Sequence, residues 1–139
     1  MNKIYKLSSS IPFMVKIKLI KRDERDYASL FLRFGLAFSF IYVAVSILLN
    51  PLYWTGFIPS FVEIFLPATT LIYSHAVLDA VLGIWLLTNK KIFYASILSA
   101  ANVFLIIAFN FGAMNIVFRD VTIFFSAVAL AVLTKNSKN

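Results

Sequence analysis

His75 and Asp79 stand four residues apart in "YSHAVLDAVLG", residues 73–83, inside an otherwise apolar run. His75 is the single histidine of the chain. On a helix this spacing puts both side chains on one face. An imidazole beside a carboxyl can move a proton, donate a hydrogen bond to a bound carbonyl, or hold a neighbouring helix. Arg33, Asn102 and the adjacent Arg119 and Asp120 also interrupt apolar runs. These six residues are the candidate site.

Several chemistries are excluded by what accompanies them. One histidine cannot supply bis-histidine haem ligation, and His75 with Asp79 is too thin a donor set for catalytic zinc. The chain has no cysteine, which removes disulfides, thiolate metal sites and cysteine-held Fe–S clusters. Neither a phosphate-binding glycine loop nor a dinucleotide fingerprint is present, and no nucleophile elbow supports a serine hydrolase.

The elements that position the six residues follow from composition. Hydrophobic residues make up 61 % of the 139, and charged residues 14 %. Soluble domains lie near about 45–50 % apolar and about 25 % charged. A small soluble domain also needs much polar surface, which this chain lacks. A multi-pass protein of the cell (plasma) membrane is expected. Four segments approach the roughly 20 residues of helix that cross a bilayer: 27–49, 68–88, 92–109 and 116–134. Helix is required, because backbone groups in hydrocarbon must be satisfied within the segment. The expected fold is all-α, an antiparallel bundle of four transmembrane helices spanning 27–134.

The net charge of +7 would suit nucleic acid, but its placement argues for lipid. Lys3, Lys6, Lys16, Lys18, Lys21, Arg22 and Arg25 precede the first span; Lys90, Lys91, Lys135 and Lys138 flank later ones. An even number of spans puts all of them on one side, so both termini are expected in the cytoplasm. Residues 1–26 form a basic segment, expected as an interfacial helix, and 135–139 a cytoplasmic tail. Residues 50–67, with Pro51, Pro59 and Pro67, are expected as an external interfacial or re-entrant segment, Tyr53 and Trp54 at the headgroup level.

A charge near the bilayer centre costs roughly 2.5–3.5 kcal/mol, so charges there usually pair or face the bundle interior. Arg33 lies roughly 9 Å, and Asp79 roughly 13 Å, from the cytoplasmic end at 1.5 Å per residue. An Arg33–Asp79 pair is within reach, and both a structural and a ligand- or proton-handling role stand open for it. Arg119 and Asp120, as neighbours, point about 100° apart and are not expected to bond to each other. Asp120 in the first turn of its helix would gain from the exposed amides. Asn102, midway along the third span, needs a partner.

Three stretches carry a resemblance: "LFLRFGLAFSFIYVAVS" with its early Arg33, "HAVLDAVLGIWLLTNKK", and "VFRDVTIFFSAVALAV" with Arg119–Asp120 opening the last helix. Over about residues 27–134 the chain resembles the DoxX family of small four-helix membrane proteins (DoxX/DoxD-like). It departs in "VSILLNPLYW", where a glycine followed by lysine or aspartate is common, and in Asp79, where glutamate is common. The resemblance makes Arg33, Asp79, Arg119 and Asp120 this chain's matches to the family's polar positions; His75 is outside it. It implies an accessory subunit of a membrane redox system, with a quinone as the cofactor or ligand between the helices and other membrane subunits as partners. A small-molecule transporter, and an assembly subunit without a ligand, are the alternatives.

Overall fold

The computed structural model describes residues 12–135. It contains α1 (Phe13–Leu49), α2 (Leu52–Thr55), α3 (Ser60–Glu63), α4 (Ala68–Leu87), α5 (Ile92–Phe109), a 3-10 turn (Phe111–Ala113) and α6 (Met114–Thr134). No strand occurs among the described residues. The apolar stretches in α1, α4, α5 and α6, the last counted with its 3-10 turn, are long enough to cross a membrane. Between 22 % and 33 % of each stretch is buried inside the molecule. Phe31, Phe38, Tyr42, Phe118 and Phe125 are among the exposed side chains. Such an outward face of rings is stable against lipid and costly in water.

The interfacial helix expected before the first span is helical from Phe13 but is not separate: α1 runs unbroken through it into the span. Neither proline nor glycine occurs between Phe13 and Gly35, so nothing in the chain ends a helix there. The rest of that segment, 1–11, and tail residues 136–139 lie outside the described residues.

Beyond Leu49 the prolines take over. Pro51 and Pro59 each precede a single turn of helix, α2 and α3, and Pro67 opens α4 from an extended backbone, φ −56° and ψ 139°. Proline is suited to the first turn, where its missing N–H costs nothing. Between α4 and α5 the chain reverses in four residues. Asn89 (φ 61°) and Lys91 (φ 49°) take the left-handed conformation there, and asparagine is among the few residues that tolerate it at a helix stop. The Trp85 indole N–H fastens the turn by donating to the Lys90 carbonyl at 3.0 Å.

The long helices pack chiefly as two pairs, α1 on α4 and α5 on α6, joined by thinner seams between α1 and α6 and between α4 and α5. Gly83 permits the first pairing. A Cβ there would stand 2.8 Å from Ile41 Cγ1 and 3.2 Å from the Ala37 carbonyl oxygen, so a small residue is needed for the backbones to approach. On α5 the equivalent small face is Ala95, Ser96, Ser99 and Ala100, all buried. One core joins Leu36, Phe40, Leu82, Leu86, Val103 and Leu130. A second, nearer the 50–67 segment, joins Ile47, Ile72 and Ala76, with Trp54 and Ile58 against it. Trp54 is half-buried, and its indole N–H donates to Ser46 Oγ at 3.2 Å.

Candidate functional site

A cavity of about 290 Å³ opens where the two helix pairs meet. Phe40 and Val43 of α1, Ile72 of α4 and Ile106 of α5 wall it, while Trp54, Phe57, Ile58 and Pro59 cover it from the 50–67 segment. His75, Asp79, Asn102, Arg119 and Asp120 line it as well. Five of the six residues proposed from sequence therefore meet in one place. The sixth, Arg33, does not.

Asp79 is the centre of the cluster and is 2 % exposed. Asn102 Nδ2 donates to Asp79 Oδ1 at 2.9 Å, bridging α4 and α5 across their thin seam. His75 Nε2 lies 3.4 Å from Asp79 Oδ2, one helical turn away. That separation is longer than the 2.7–3.2 Å of a good N–H···O bond, so Oδ2 retains capacity for a closer donor. A buried carboxylate without such a donor is costly.

Arg119 and Asp120 form the rim. Arg119 Nε stands 3.9 Å from Asp120 Oδ1, the arginine side chain 56 % exposed and the carboxylate 20 %. The two were expected to diverge; the long arginine chain bends back far enough for a loose ion pair. Asp120 also does not cap its helix. The 3-10 turn leads directly into α6 at Met114, which places Asp120 in the second turn, and no side chain caps the start.

Arg33 was expected to pair with Asp79 and instead holds the end of α4. Its Nε donates to the Leu86 carbonyl at 2.8 Å, Nη2 to the Leu87 carbonyl at 3.2 Å, and Nη1 to Asn89 Oδ1 at 2.8 Å. Leu86 is seven residues beyond Asp79, about 10 Å along the helix. The last carbonyls of a helix have no partners within it and carry the negative end of its dipole, so they capture the guanidinium before it reaches the carboxylate. Arg25 does the same for α6, Nη2 donating to the Leu133 carbonyl at 2.9 Å. No group of three or more metal-ligating side chains occurs among the described residues.

Sequence reasoning missed the covering residues Trp54, Phe57 and Ile58, and Asn102 as the partner of Asp79. A signal for the latter exists. Asp79 and Asn102 each lie eleven residues from the Lys90–Lys91 step of the turn, and a short helical hairpin brings equidistant positions level.

The fold and the cavity define a helical protein with four membrane-length segments and a buried carboxyl–amide–imidazole cluster. Protein-family profiles, curated proteins and solved structures compared with the chain give no match.

Proposed function

We propose that this chain is a multi-pass plasma-membrane protein of the DoxX type that binds a small, mainly apolar molecule in the cavity between its helix pairs. The class put first is a quinone, held as part of a membrane redox system in which this chain is the accessory subunit. The observation that carries the reading is the union of apolar walls with a few convergent polar groups, the composition typical of small-molecule sites. At about 290 Å³ the cavity lies at the low end of such sites, roughly 300–1,000 Å³. It has room for a ring, with a long tail continuing outside.

Tryptophan emission tests this, because Trp54 covers the cavity and Trp85, the other of the two tryptophans, lies beside the basic turn. Titrating a short-tailed benzoquinone into protein in detergent should give a saturable change that survives Trp85→Phe and disappears in Trp54→Phe. A response that never saturates, or that follows Trp85, removes the cavity as the site.

The same reading arranges the four long helices antiparallel with both termini cytoplasmic. Its support is the grouping of Arg25 and Arg33, in the first half of the membrane-length stretch of α1, on the carboxyl ends of α6 and α4, beside the basic turn at Lys90 and Lys91. Single cysteines at Lys90 and Ser60, introduced into a chain that has none, should react with an impermeant thiol reagent from opposite sides. Reaction of both from one side is incompatible with this topology.

A further inference from the structure

The polar wall of the cavity is unequal in its donors and acceptors. Several of its donors are committed within the protein. Trp54 Nε1 donates to Ser46 Oγ, Ser39 Oγ to the Gly35 carbonyl, Asn110 Nδ2 to the Ile106 carbonyl, and Asn102 Nδ2 to Asp79. His75 Nε2 stands 3.4 Å from Asp79 Oδ2, and the Arg119 guanidinium, Nε 3.9 Å from Asp120 Oδ1, keeps its donors at the exposed rim. Away from the rim the remaining capacity is chiefly that of acceptors: Asp79 Oδ2 and the side-chain carbonyl of Asn102, with the carboxylate of Asp120 and the carbonyl of Asn110 beside them. Asp79 is the deepest of these, with its nearest charged or chargeable neighbour among the described residues the His75 ring at 3.4 Å.

From the buried Asp79 Oδ2, which lines the cavity without a close donor, we infer that the cavity selects a ligand whose head is a hydrogen-bond donor, received by that oxygen, and that of a quinone couple it holds the reduced, dihydroxy form. The choice of a quinone couple rests on the function proposed above; the donor requirement rests on the wall. A quinone carbonyl can only accept, so beside Asp79 it would set lone pair against lone pair and leave the carboxylate unmet. A quinol hydroxyl donates into Oδ2 and still offers its own oxygen to His75 or Arg119. Phe40, Trp54 and Phe57 take the ring in either form, so the walls do not discriminate and Asp79 does. With Asp79 ionised, that hydrogen bond is worth enough to shift affinity on the order of tenfold or more.

Equilibrium dialysis of the full chain in detergent, against empty micelles and without oxygen, measures the preference. The probes are a short-tailed benzoquinone, the hydroquinone made from it by reduction, and a benzylamine with a short alkyl chain. The hydroquinone is expected to bind about tenfold or more tighter than the quinone, and Asp79→Asn, which turns a donor toward the head, is expected to erase or invert that ratio. The wild-type ratio needs no variant, so it stands even if Asp79→Asn fails to fold. Equal binding of the two forms, or tighter binding of the quinone, overturns the donor requirement while leaving a quinone site in place. Binding of the amine alone, lost in Asp79→Asn, removes the quinone reading and keeps the donor requirement. Retention of none of the three overturns both.

Discussion

Replacing Arg33 with alanine is expected to lower the unfolding free energy by about 2–3 kcal/mol, with no loss specific to ligand binding. The guanidinium makes three hydrogen bonds to the end of α4, and bonds from a charged group are worth about 1.5–3 kcal/mol each. Partial exposure reduces the total through solvent screening. Lysine should recover no more than about a third, because an ammonium keeps the favourable charge at a helix carboxyl end, about 0.3–1 kcal/mol, but not the fork that spans two carbonyls and an amide. Arg33→Ala and Asp79→Ala should be additive within about 0.5 kcal/mol, since the residues share no partner. Reversible unfolding of the two single variants and the double in mixed micelles measures all of this. A coupling above about 1 kcal/mol would place the guanidinium on Asp79 after all.

That expectation marks where the sequence stopped being informative. Apolar length and the absence of breakers fixed the long helices, and the i,i+4 spacing of His75 and Asp79 correctly put both on one cavity wall. Asp79 was read as too deep for lipid, and it lines the interior cavity. Arg33 was misread because residue counts locate an α-carbon, whereas a flexible guanidinium goes to the nearest strong acceptor. The unpaired carbonyls at Leu86 and Leu87 are invisible in side-chain chemistry. The cover was illegible for a different reason. Trp54, Phe57 and Ile58 are apolar residues between prolines, equally suited to the lipid interface or to a fold back over α1 and α4. Only tertiary packing on Ile47 and Ile72 shows the fold back over α1 and α4.

The bond between Asn102 and Asp79 should behave oppositely to Arg33. Asn102→Leu removes the one well-formed donor among the described residues to a carboxyl that is 2 % exposed, and leaving a buried polar group unmet is expected to cost about 1–3 kcal/mol. Asp79→Leu removes the carboxyl and strands the Asn102 amide, a loss of about 1–3 kcal/mol as well. The double replacement should be less damaging than the sum, with a coupling of about 1–2 kcal/mol, because an apolar pair across the α4–α5 seam leaves nothing unmet. Stability alone does not separate a helix clamp from a binding group. Ligand retention does. If Asp79 receives the head of a bound molecule, the double variant should regain much of the lost stability and none of the hydroquinone binding. A stable double variant that still retains hydroquinone as the wild type does would make the pair interhelical glue and nothing more. Loss of binding in a stable chain would assign the carboxylate of Asp79 to both tasks, one oxygen holding α5 and the other turned to the cavity.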